Sequence, residues 1–145
     1  MTPFTILSQA IESRLAAQPA FAGVALIQED AGDVDAMIER ELGRVGMGVL
    51  LGVPEFTNQD PLSPLVNALI KVSLLCMEAP ALWRKTGNEP HCADLSWIAA
   101  RALQQFAVAG FQPTRVMSGQ PVTDKDVALQ LYRIEIETMQ IFGAG

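Results

Sequence analysis

The side chains in this sequence best suited to chemistry are one histidine and two cysteines: His91, its neighbour Cys92, and Cys76 upstream. A thiol becomes a nucleophile when an imidazole meets it side chain to side chain and takes its proton. Adjacent residues of a helix point about 100° apart, so His91 and Cys92 do not face each other on one helix. His91 and Cys76 can meet only through the fold. A pocket near His91 and Cys76 is therefore the one route to a small-molecule-binding or enzymatic domain. Neither an oxyanion loop nor an acidic group to orient the imidazole accompanies them. Two cysteines make no disulfide framework and lack paired metal-ligand spacing, so they read as buried thiols of a reducing compartment.

The remaining candidates give less. Glu29, Asp30, Asp33 and Asp35 cluster beside a glycine, but they lack the alternating acidic pattern and closing glutamate of a calcium loop. A solvated turn whose Asp33 caps a helix accounts for them. The run Gly43-Arg44-Val45-Gly46-Met47-Gly48 has neither dinucleotide-binding nor phosphate-loop spacing and ends without lysine and serine. Glu135 and Glu137 share one strand face and are read as keeping an exposed strand from pairing. These residues support no enzyme, cofactor or metal site.

The elements that must position these groups come from hydrophobic periodicity. The chain has 145 residues, half of them hydrophobic and 18% charged, which fits one domain with its own core and argues against disorder. Ten basic residues against 16 acidic leave a net charge of -6, a surface that repels phosphate backbones. Direct sequence-specific nucleic-acid binding is not expected. No basic segment followed by an apolar run opens the sequence, so no signal peptide is expected. Charge interrupts every apolar stretch before the roughly 18 residues needed to span a bilayer.

Residues 65–77 show the clearest alternation. Val66, Ala68, Ile70, Val72, Leu74 and Cys76 fall on one face of a strand, and Asn67, Leu69, Lys71, Ser73, Leu75 and Met77 on the other. Residues 47–56 are again extended, with Pro54 at an edge or bulge. The polar, proline-punctuated residues 57–64 join the two as the tip of a long hairpin. Upstream, residues 1–17 read as an amphipathic helix capped by Thr2 or Thr5 and stopped at Gln18-Pro19. Residues 24–28 read as a strand and 34–42 as a short helix, with a plain loop as the alternative because the run is short. Trp83 is read as closing the bottom of the core. Residues 91–109 carry an apolar stripe of Leu95, Ile98, Ala99, Ala102, Leu103 and Phe106, with Asn88 as cap and Gly110 as terminator. Residues 111–118 read as a strand, Gly119-Gln120-Pro121 as a turn, and 127–141 as a last strand with a bulge near Leu131-Tyr132 where the apolar parity changes. The expected class is α+β: an antiparallel, or mixed, sheet with a long β-hairpin, packed on one face by two or three helices.

Five segments carry a further reading: ILSQAIESRL (6–15), GMGVLLGVPEF (46–56), VNALIKVSLLCMEAPALWR (66–84), DLSWIAARALQQF (94–106) and ALQLYRIEIET (128–138). Their order resembles the small tail-terminator, or tail-completion, proteins of long-tailed bacteriophages and prophages. The resemblance implies a structural subunit without catalytic residue or cofactor. Such a subunit forms a ring-like homo-oligomer, a hexamer in the expected case, that caps the tail tube. It would meet other tail or head-completion proteins in the bacterial cytoplasm, without a membrane. It also implies subunit contacts through strand edges and loops. Pro54, Asn58, Asp60, Pro61, Leu62, Pro64, Asn67, Leu69 and Lys71 are the interface candidates.

Overall fold

Strand β4, Ala68–Glu78, alternates buried and less buried positions over most of its eleven residues, and the other elements are arranged on it. The computed structural model describes residues 2–30, 32–79, 89–123 and 129–140. In chain order the elements are α1 (Pro3–Ala16), a 3₁₀ turn (Pro19–Phe21), β1 (Ala25–Gln28), α2 (Val34–Arg44), β2 (Met47–Leu51), β3 (Glu55–Asn58), β4, α3 (Cys92–Leu103), β5 (Arg115–Val122) and β6 (Gln130–Met139). The sheet order is β1-β2-β4-β6-β5, with β3 pairing β4 beyond the end of β2. Among the described strands only β1 and β2 pair in parallel, and α2 is the crossover that a parallel pair requires. The class is α+β, as expected.

Two helices cover one face. Leu7, Ile11 and Leu15 of α1 and Leu95, Ala99 and Leu103 of α3 pack on Val49 and Leu51 of β2, Ile70, Val72 and Leu74 of β4, and Ile134 and Ile136 of β6. Arg14 ties the helices together: its Nε donates to the Ala102 carbonyl at 3.0 Å and its guanidinium lies 5.3 Å from the Phe106 ring centre. The third helix lies on the other face. Leu26 packs against this core while Ile27, one residue on, is buried away from it, as are Leu42 of α2 and Met77. Alone, an eleven-residue helix is marginal in water. Here Asp33 caps it by accepting from the Ala36 N–H at 3.2 Å, and the β1–β2 end of the sheet receives its apolar side.

The long hairpin is present, broken at one point. Between the pairs Leu51↔Leu74 and Glu55↔Lys71 the first strand advances four residues while β4 advances three, a bulge that separates β2 from β3 and contains Pro54. Gly52 belongs there by close approach: a Cβ on it would lie 3.0 Å from the Ser73 carbonyl oxygen, which its own N–H already bonds at 2.8 Å. Glu29 holds the kink by accepting the Val53 N–H at 2.9 Å.

Several boundaries differ from the sequence reading. Helix α3 begins after His91, whose backbone N–H donates to the Asp94 carboxylate at 3.0 Å. It ends at Leu103, and the left-handed residue that follows its end is Gln105, with Gly110, also at positive φ, further along the chain. The Thr114 hydroxyl donates to the Leu103 carbonyl and the Thr114 N–H to the Phe106 carbonyl, so a side chain takes up groups that a longer helix would have used. Asn88 and Trp83 lie outside the described residues. Gly119, Gln120 and Pro121 are not a turn but part of β5, an edge strand where a proline costs no ladder bond on the open side. The β4–β6 register runs unbroken from Leu69↔Met139 to Glu78↔Gln130, so no bulge lies near Tyr132; the irregularity is in β5, where Met117 has no partner. Strand β6 lies between β4 and β5, so Glu135 and Glu137 guard no edge. Val66 precedes β4 and is exposed rather than facing the core.

Leu74 and Leu69 test the two faces. Leu74→Ala is expected to lower stability by about 2–5 kcal/mol in urea titration, as for a fully buried leucine, with Leu69→Ala costing clearly less. Equal losses would contradict the assignment of faces.

Candidate functional site

The hairpin tip is built by its own polar groups. The Gln59 N–H donates to the Asn67 carbonyl at 2.7 Å and closes the loop. Asn58 Oδ1 accepts from the Asp60 N–H at 3.2 Å and the Asn67 N–H at 3.1 Å, so one side chain sets both ends. Ser63 follows by accepting from the Leu65 N–H at 3.2 Å. With the backbone occupied in this way, the apolar side chains of the tip face water. Leu62 is 96% exposed, Leu65 58% and Val66 59%. At the base Phe56, also exposed, tilts against Phe4 of α1 with ring centres 5.8 Å apart.

Of the nine residues expected at an interface, the structure gathers Asn58, Asp60, Pro61, Leu62, Pro64 and Asn67 on this tip. Pro54 sits at the bulge, on the rim of a cleft beside Phe4 and Ser8 of α1. Leu69 and Lys71 point to the sheet face away from α1 and α3. There Lys71 stands in a row of alternating sign across four strands, Glu55–Lys71–Glu137–Arg115, whose last two members touch at 2.7 Å. The Ser73 hydroxyl donates to Glu135 at 2.8 Å in the next row. These carboxylates are thus part of a polar sheet face.

A second surface went unread in the sequence. Between α3 and the edge strand β5 runs a groove of about 200 Å³ lined by Trp97, Ala100, Val116, Met117, Gly119 and Tyr132. Trp97 is 67% exposed and Met117, the bulged residue, 55%. The signal for Trp97 was available: it falls off the buried stripe of its helix. Met117 became exposed only because β5 slips by one residue.

The groups with chemical potential form no nucleophilic pair. Cys76 is buried under α3, and burial pushes its thiol up from an ordinary value of 9.0 to about 11. Cys92 is also raised to about 11, first by burial and then by the Glu78 carboxylate. The His91 ring meets Glu78, with Nδ1 3.3 Å from Oε2, and Glu78 also accepts the Cys92 N–H at 2.7 Å. Glu78 is fully buried, yet it lies at the positive end of α3, where a carboxylate is favoured. The cluster joins the end of β4 to the start of α3. No group of side chains among the described residues could hold a metal ion, and no helix among them is long and apolar enough to cross a membrane.

No family model and no curated protein matches the sequence. Among solved structures, the chain is similar to one in the virion of a native gene transfer agent particle. The TM-score is 0.57 at 13% identity, over 92% of this chain and 92% of that one. At that identity the likeness is one of fold.

Two outcomes follow from this geometry. In Asn58→Ala the amides of Asp60 and Asn67 lose their acceptor, so their hydrogen exchange is expected to quicken while global stability falls by no more than about 2 kcal/mol. For the thiols, folding holds protons that the unfolded chain releases from pH 9.0 upward. The unfolded state then binds fewer protons, so their contribution to stability is complete below pH 9 and is lost as pH rises towards 11. Alkaline denaturation of Cys76→Ala beside the parent checks this: the variant's stability should fall less steeply across that window.

Proposed function

We propose that this protein is a structural subunit of a phage-like particle, acting as a ring-forming tail terminator or minor tail subunit at the end of the tail tube. The observation that carries the reading is the hairpin tip, whose two ends are tied by Asn58 while Leu62, Leu65 and Val66 remain in water. Exposed apolar residues gathered at one place mark an interaction surface rather than a solvated loop. The fold likeness to a chain of a gene transfer agent virion over nearly the whole length supports the same setting. So do thiols that stay protonated at neutral pH, which suits a role without nucleophilic chemistry. A tube-end ring needs contacts to copies of itself and to tail or head-completion proteins, and the nine residues around the hairpin supply candidates for both.

Light scattering on size-separated protein is the direct test. The expected result is a closed oligomer, a hexamer in the simplest case, and binding to isolated tail tubes. A strict monomer at high concentration that also ignores tail tubes overturns the proposal. The double variant Leu62→Ser with Leu65→Ser should lose assembly yet melt within a few degrees of the parent, because substitutions at exposed sites usually change stability by no more than about 0.5 kcal/mol.

A further inference from the structure

Eight large hydrophobic side chains are exposed among the described residues. Seven belong to two places: the hairpin and its edge (Val53, Phe56, Leu62, Leu65, Val66) and the rims of the α3–β5 groove (Trp97, Met117). We infer that the second place is the receptor for the first, so that the tip of one copy, residues 61–66, seats in the groove between α3 and β5 of the next. The inference rests on the ring-subunit reading above and names the surface that reading leaves open.

The two surfaces match in chemistry. The tip presents Pro61-Leu62-Ser63-Pro64, and the groove presents the rings of Trp97 and Tyr132, the kind of aromatic-lined cleft in which proline-bearing segments dock. Each proline fixes one φ angle and the loop is already tied by Asn58, so little freedom is left to lose on docking. The volume of about 200 Å³ leaves room for a branched aliphatic side chain such as Leu62. Gly119 shapes the floor: a Cβ there would lie 3.2 Å from the Tyr132 ring, so a larger residue would push that ring outward by a few tenths of an ångström. The charges are complementary. Asp60 on the tip and Arg101, one turn beyond Trp97 on α3, are both exposed and neither has an ion pair among the described residues.

Position makes the contact intermolecular. The hairpin leaves the sheet at Asn58↔Ala68, while the groove lies beside Gly119↔Ile134, in register with Leu74 of β4. That is six residues along the strands, about 20 Å, and two strands across, about 10 Å. The tip points away from its own groove. A knob and a hole at different places on one molecule permit a head-to-tail contact, which propagates from copy to copy and closes into a ring where the rotation between neighbours allows it.

Light scattering on the full chain tests the assignment with two defective proteins. The tip variant (Leu62→Ser with Leu65→Ser) and the groove variant (Trp97→Ser) are each expected to be monomers, with association weakened about thirtyfold or more, as for loss of a central aromatic anchor. Mixed in equal amounts they should form a dimer and nothing larger, because one intact tip and one intact groove remain between them. Met117→Asp, on the opposite rim, serves as a second groove variant should Trp97→Ser fail to fold. Asp60→Arg and Arg101→Asp should each weaken assembly, and together they should regain part of it. Groove variants that assemble like the parent, or a mixture that stays monomeric, overturn the inference while leaving the ring reading in place. A parent that never assembles and never binds tail tubes removes both.

Discussion

The unbroken pairing of β4 with β6 is the constraint on which the rest depends. Ten consecutive pairs, from Leu69↔Met139 to Glu78↔Gln130, lock the parity of both strands. Because side chains alternate with period two, one lock decides at a stroke which residues meet the helices and which do not. Ile70, Val72, Leu74, Ile134 and Ile136 go to the core with α1 and α3, while Lys71, Ser73, Arg133, Glu135 and Glu137 go to the polar face. A slip of β6 by one residue would turn Arg133, Glu135 and Glu137 towards the core, at a cost far above the few kcal/mol by which a domain is stable.

Irregularity is confined to the strands that flank this pair, and both bulges lie next to the surfaces with exposed apolar side chains. On one side the bulge at residues 52–54 turns β3 off the line of β2, and Glu29 and Gly52 hold it. On the other, Met117 is the extra residue of β5 and is set out at the rim of the groove. Bulges at sheet edges re-aim side chains and end pairing, which here leaves edges short and interrupted instead of long and flat. The central strands carry stability, and the outer strands carry the surfaces available to other chains.

The chemically suggestive residues join a strand to a helix. Glu78 is a buried acid at the end of an apolar strand, beside a histidine and a cysteine, and in isolation it resembles a catalytic group. Its partners are the Cys92 N–H and the His91 ring, both at the start of α3, so it fastens strand to helix. Desolvation keeps the nearby thiols protonated, and a protonated thiol is a poor nucleophile. Outward, the molecule presents exposed apolar side chains at the hairpin tip and on the rims of the α3–β5 groove.

The sequence by itself determined what depends on local periodicity and chain stiffness. The two faces of β4, the hairpin with its proline-punctuated tip, the cap at Asp33, the stop at Gln18-Pro19 and the proline at a bulge were all legible, because each is set by residues within a few positions of one another. The tertiary structure alone decided what depends on pairing between distant segments. Whether β6 lies inside the sheet or at its edge turns on the location of β5, and the sequence of β6 is the same in either case. The parity change near Leu131-Tyr132 corresponds to no bulge in β6, and the real slip lay in its partner at Met117. The end of α3 was set by Thr114, eleven residues beyond the helix, since a hydroxyl can replace the bonds of one further turn. The groove at Trp97 exists only because that helix comes to rest beside β5, a contact between segments whose spacing along the chain says nothing of their distance in space.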